Sequence, residues 1–144
     1  GLPARYLELE ITESVALHDI ERTIATLHEL RQIGITLSID DFGTGFSSLS
    51  YLRRFPLSKI KIDQSFVRNL GDNLHDASIA HTIVLLGHSL KLTVIAEGVE
   101  TQAQIEALRR MNCDEIQGYL FSQPVAASEI CDLLDQGRSL VNAG

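Results

Sequence analysis

Hydrophobic periodicity along this chain switches repeatedly between two and about 3.6 residues, which limits it to strands joined by helical crossovers. Residues 7–11 alternate apolar and polar side chains. Residues 19–33 follow a helical period, with Ile20, Ile24, Leu27 and Leu30 on one face and Gly34 as the stop. Alternation returns over residues 35–40, and a short helix is expected from Ser47 or Ser48 to just before Pro56. Further strands are expected at 59–63, 92–96 and 114–118, and further helices at 76–90, 102–112 and 127–136. Such alternation gives a parallel sheet with right-handed crossovers, and no linker or low-complexity segment divides it. The chain reads as one domain.

Each expected strand is polar on one face. The polar sets are Glu8, Glu10 and Thr12, then Thr36, Ser38 and Asp40, then Lys59, Lys61 and Asp63. Thr93 with Glu97, and Glu115 with Gln117, complete the pattern. Parallel strands covered by helices on both faces are apolar throughout, and so many carboxylates cannot be buried against helices without severe desolvation. A polar face of this kind suits the inner wall of a barrel whose side chains converge on an ion or polar ligand. A full (β/α)₈ barrel takes about 250 residues, rarely fewer than about 200. The 144 residues here supply five strands, so the chain is either an open five-stranded sheet or the carboxy-terminal part of a barrel.

The net charge of −7, from 19 acidic against 12 basic residues, argues against a nucleic-acid polymer as partner. Phosphate binding would have to be local, through metals or single lysines. No apolar run approaches the ~18 residues of a membrane span, so no membrane contact is expected from this segment. Cys113 and Cys131 lack ligand spacing, sit in apolar-periodic surroundings and read as reduced core filler in a cytoplasmic protein rather than a disulfide.

Asp40 and Asp41 are adjacent and precede Gly43 and Gly45. On a regular strand neighbours face opposite sides, so the pair can converge only if the strand ends at Asp40 and the turn through Gly43 swings Asp41 round. Joined by Glu10 and Glu97 from neighbouring strand ends, they form a set of hard oxygen donors suited to Mg²⁺ or Mn²⁺. An Asp shared between two ions would give a two-metal site for phosphodiester hydrolysis. The competing reading is an Asp-rich turn capping a loop. Lys61 is either a cation that orients water and neutralises phosphate charge or a structural salt-bridge partner. Gly43 and Gly45 read as hinge or lid glycines, and the five histidines show no metal-ligand spacing.

Together these residues resemble the signatures of the EAL-domain cyclic di-GMP phosphodiesterases. They are Leu7-Glu8-Leu9-Glu10-Ile11-Thr12-Glu13-Ser14, Asp40-Asp41-Phe42-Gly43-Thr44-Gly45, Lys61-Ile62-Asp63, Ala96-Glu97-Gly98-Val99-Glu100-Thr101 and Gln117-Gly118-Tyr119-Leu120-Phe121-Ser122. The resemblance implies a TIM-like (β/α) barrel, here about five βα units of it, that hydrolyses cyclic di-GMP to linear pGpG with two Mg²⁺ or Mn²⁺ ions. It makes Glu10 a ligand of the first metal, Asp40 the bridging carboxylate, and Asp41 and Glu97 ligands of the second. Lys61 corresponds to the lysine that positions the attacking water, and Gln117 to a polar residue of the catalytic centre. Glu13 corresponds to the glutamate that holds the loop at 43–45, and Glu100 to a further acid near the metals. Phe121, Ser122 and Pro124 would lie near the bound nucleotide.

The same resemblance implies a homodimer and fused sensory or GGDEF domains upstream in the parent protein. The Glu-Ala-Leu signature with its Arg, and a metal-binding Asn, are expected before Gly1, which would make residues 1–144 the carboxy-terminal part of a single EAL domain. Glu106-Ala107-Leu108 spells the signature but falls within the helix expected at 102–112, so it is not taken for it. An isolated chain of this kind is expected to be inactive or very weak. The alternatives are a non-catalytic cyclic di-GMP-binding or regulatory module and, from a different class, a phosphoacceptor receiver domain. The receiver needs its lysine on the last strand, whereas Lys61 lies on the strand right after the one that carries the acidic pair.

Overall fold

The computed structural model describes residues 1–16, 19–45, 49–71 and 73–135. A 3-10 turn at Ala4–Tyr6 leads into β1 (Glu8–Thr12), α1 (Glu13–Ala16) and α2 (Ile20–Gln32). The chain continues through β2 (Thr36–Phe42), α3 (Leu49–Leu52), β3 (Lys59–Ile62), α4 (Gln64–Arg68) and α5 (Leu74–Ser89). It ends with β4 (Thr93–Ala96), α6 (Gln102–Arg110), β5 (Glu115–Ile116) and α7 (Ala127–Asp135).

Local chemistry sets most boundaries. Asp19 caps α2 by accepting from the Arg22 amide. Asn73 accepts from the amides of His75 and Asp76, so α5 begins two residues earlier than its periodicity alone indicates. Thr101 and Gln104 form a reciprocal capping box at the start of α6. Asn112 takes a left-handed φ of 59°, which stops α6 short of the expected residue 112. Ser47 and Ser48, the expected start of the short third helix, lie outside the described residues. The brief helices α1 and α4 follow directly on strand ends and carry too little periodicity to announce themselves.

All strand pairings are parallel, and the sheet order is β1-β2-β3-β4-β5, the order of the sequence. A doubly wound sheet reverses direction at a switch point; this one never does, as in a barrel. In a flat sheet the outer two of five strands would stand about 19 Å apart. Yet Glu8 on β1 and Glu115 on β5 reach the same Lys59 ammonium, at 3.1 and 3.3 Å. The sheet is therefore curled, and its concave face is the polar one. It is five strands of a (β/α) barrel.

The convex face carries the core. Leu37, Ile39, Ile60, Ile62, Val94 and Ala96 are at most 2% exposed and pack under Ala80, Ile83 and Val84 of α5 and Ile105 and Leu108 of α6. Ile105 and Leu108 are buried while Glu106 is exposed, which makes the Glu106-Ala107-Leu108 spelling an ordinary amphipathic helix. On the concave face Ile95 interrupts the polar alternation and is 7% exposed. Both cysteines are free, Cys113 half-buried and Cys131 exposed, so Cys131 is not a core filler. No helix among the described residues is long and apolar enough to cross a membrane.

A candidate metal centre at the strand ends

The acidic pair converges, by a different route from the one its sequence indicates. Pairing of β2 with β3 does not end at Asp40. Ile39 pairs with Ile60 and Phe42 with Ile62, so Asp40 and Asp41 together stand opposite the single residue Lys61. That is a β-bulge, and Asp41 takes the left-handed φ of 53° that the extra residue requires. The bulge, rather than a turn through Gly43, brings Asp41 round beside Asp40. The Asp41 amide donates to the Asp40 carboxylate at 3.0 Å, which fixes the pair locally.

Carboxylate oxygens of Asp40, Asp41 and Glu97 all lie within 4.8 Å of one another. Lys61 projects into the same space from β3. Its ammonium lies 2.8 Å from Glu10, 3.2 Å from Asp40 and 2.7 Å from Glu97, and its side chain is 4% exposed. Burial by itself would lower the Lys61 pKa, but hydrogen bonds and charge from Glu10, Glu97 and Asp40 outweigh it and hold it well above the usual lysine range. Lys61 is therefore an ammonium at any physiological pH. Burial raises the Glu97 pKa, and Asp40 and Glu10 add to that against the opposing pull of Lys61. Asp41 is raised too, by burial and by the nearby Asp40 and Asp63 carboxylates. The cluster thus holds more negative charge than one lysine balances. Clustered hard oxygen donors with surplus negative charge fit Mg²⁺ or Mn²⁺.

Glu13, at the start of α1, is 4% exposed and points at the loop that follows the acidic pair. It accepts from the Gly43 amide at 3.4 Å, and its Oε1 has no hydrogen-bond partner among the described residues. A Cβ on Gly45 would stand 2.6 Å from that Oε1, so a side chain there would push the Glu13 carboxylate aside. The Thr44 hydroxyl donates back to the Asp41 carbonyl at 2.8 Å and ties the loop to the bulge.

Beside Glu97 opens a cleft of about 400 Å³, lined by residues that include Gln64, Arg68, Glu97, Glu100, Gln117 and Tyr119. Two of the expected site residues, Glu100 and Gln117, therefore sit with Glu97. Phe121, Ser122 and Pro124 follow on the irregular stretch before α7 and do not line this cleft. Sequence reasoning assigned no role to Asp63, Gln64, Arg68 or Tyr119. Asp63 caps α4 by accepting from the Ser65 amide at 2.9 Å while lying next to Asp41. The Asp-x-Ser spacing at 63–65 is a helix-start signal that could have placed it.

The curled sheet, the acidic centre at its carboxy-terminal strand ends and the lysine within it define a (β/α)-barrel domain with a candidate divalent-metal site. The EAL domain family model matches residues 1–124, and the chain belongs to that family. It is similar to the cyclic di-GMP phosphodiesterase NbdA of Pseudomonas aeruginosa, with 47% identity over 134 residues, 93% of this chain and 17% of NbdA. The crystal structure of the EAL domain of Mycobacterium smegmatis DcpA superposes with a TM-score of 0.88 at 45% identity, covering 96% of this chain and 62% of that one. A manganese and cyclic di-GMP complex of Klebsiella pneumoniae BlrP1 superposes with a TM-score of 0.79 at 36% identity, covering 85% of this chain and 31% of that one. The chain thus spans less than a fifth of the length of NbdA and under two thirds of the DcpA domain.

Proposed function

We propose that these 144 residues are the carboxy-terminal part of an EAL domain that hydrolyses cyclic di-GMP to linear pGpG with two divalent ions, Mg²⁺ or Mn²⁺. The observation that carries this is the bulge, which places Asp40 and Asp41 on one face with Glu97 and Lys61. The manganese and cyclic di-GMP complex of a relative supports both the metal and the substrate.

Asp40, Asp41 and Glu97, with Glu10 beside them across Lys61, are the residues that would hold the ions. When bound, the ions activate water and stabilise the charge that develops on the phosphate oxygens. The chain's own groups do the rest. Lys61, fixed by three carboxylates, presents an ammonium to the attacking water and to the phosphate and is not itself a proton acceptor. Glu13 sets the loop at 43–45 against the bulge, so that Asp41 keeps its orientation. Water adds across one P–O bond of the cyclic dinucleotide, opening the ring with a terminal phosphate on one side and a free hydroxyl on the other. The test is chromatography of cyclic di-GMP after incubation with the whole domain. Conversion to pGpG with Mn²⁺ and none with EDTA is expected; binding without conversion would leave a sensor module instead.

A further inference from the structure

Two lysines of β3, Lys59 and Lys61, reach into the concave face two residues apart, and the metal centre uses only the second. Lys59 meets Glu8 of β1 at 3.1 Å and Glu115 of β5 at 3.3 Å. In a (β/α) barrel the strands tilt against the axis, so side chains of alternate strands share a layer. Glu8, Lys59 and Glu115, from β1, β3 and β5, are such a layer. Glu10 and Lys61, bonded at 2.8 Å, belong to the next one, with Gln117 two residues beyond Glu115. Ser38 and Ile95 lie between the two layers. Ser38 pairs in register with both Glu10 and Lys59, and Ile95 with both Lys61 and Glu115. Both are buried, and the Ser38 hydroxyl donates to the Leu9 carbonyl, between Glu8 and Glu10, at 3.5 Å. The metal centre thus stands on a packed floor with an ion-pair triad beneath it.

Resting on the metal-dependent reading above, we infer that Lys59 is a positioning residue for that centre: by tying β1 to β5 below the floor, it holds Glu10 on Lys61. The Glu10 side chain is 46% exposed, so its place depends on where β1 runs. Glu8 and Glu115 meet the same ammonium, and without it two carboxylates face each other from the strands that Lys59 joins. Their repulsion would spread β1 from β5 and draw Glu10 away from Lys61. Lys59 also carries a positive charge near a site for cations. Through its field alone, its removal would tighten metal binding; as a tie between strands, its removal weakens it. The two roles have opposite signs.

The test is titration of the whole domain with Mn²⁺ alone, free ion being read by electron paramagnetic resonance. Glu10→Gln marks which of the bound ions depends on Glu10. Lys59→Met is expected to weaken that ion roughly tenfold to a hundredfold, the usual cost of losing a group that orients a metal ligand, and to leave the other unchanged. Lys59→Met with Glu115→Gln restores the net charge of the wild type and removes the facing carboxylates. It is expected to recover part of the affinity but not all, since Glu8 remains untied. Should Lys59→Met alone not fold, the double variant decides by the same reading. Tighter or unchanged binding of the Glu10-dependent ion would overturn the inference, as would equal weakening of both ions with a lower melting temperature. A wild-type domain that binds no Mn²⁺ would overturn the metal-dependent reading itself.

Discussion

Lys61 is bonded to three carboxylates and nearly buried, so its removal leaves like charges facing one another. Lys61→Met in the whole domain is expected to lower cyclic di-GMP turnover by about 10²–10³-fold, the cost of losing one preorganised electrostatic group. The same variant should lose stability without metal and recover it with Mn²⁺ to a greater extent than the wild type, read as the shift in melting temperature. Unchanged turnover would return Lys61 to a purely structural bridge. Gly45 and Glu13 form a second test. Gly45→Ala forces the Glu13 carboxylate aside, whereas a Glu13→Ala background removes the atoms that would approach the added methyl most closely. The two effects on Mn²⁺ affinity should therefore be strongly non-additive, and additive values would show that the contact does not control the loop. Cys113 gives a third. Burial pushes its thiol up to about 11, and only the thiolate is nucleophilic. At pH 8 a thiol reagent is expected to label exposed Cys131 in the native protein and Cys113 only after unfolding. Equal native labelling of both would contradict that burial. Protonated Cys113 favours the fold below its ordinary pKa of 9.0, and this contribution fades as pH rises toward 11.

The bulge in β2 is the element on which the site depends. Asn populates the left-handed region readily, as Asp does, whereas Ala pays about 1–2 kcal/mol there. Asp41→Asn is therefore expected to keep the melting temperature and lose metal affinity. Asp41→Ala should lose both, with a melting temperature lower by roughly 3–6 °C. Equal melting temperatures for the two variants would argue that φ at Asp41 is not strained. Much of the centre is legible in the sequence. Period-two alternation alone puts Glu10, Lys61 and Glu97 on the polar face, and parallel crossovers alone put their strands side by side. The bulge was not legible, because register between β2 and β3 is decided by how Ile39, Phe42, Ile60 and Ile62 seat in the core. Arg68 and Tyr119 escaped for a similar reason, since α4 and the stretch after β5 meet only in the fold. The shortness of β5 was hidden too, because its pairing dissolves into the close approach of Gly118 to Val99.

At the scale of the molecule, the described sheet ends in two strand edges, β1 and β5, with the metal centre on its concave side. Open edges of parallel strands invite association with other chains. The 144-residue chain by itself is therefore expected to form concentration-dependent oligomers in light scattering and to turn over cyclic di-GMP at least about a hundredfold more slowly than the whole domain. Turnover at the rate of the whole domain would show that the remaining barrel wall is dispensable. The most direct measurement is anomalous diffraction at the manganese edge from crystals of the whole domain grown with Mn²⁺ and cyclic di-GMP. The account predicts two manganese peaks with the Asp40 carboxylate between them, Asp41 and Glu97 on one ion and Glu10 on the other. No peak at these carboxylates, or ions bound without Asp40, would contradict it.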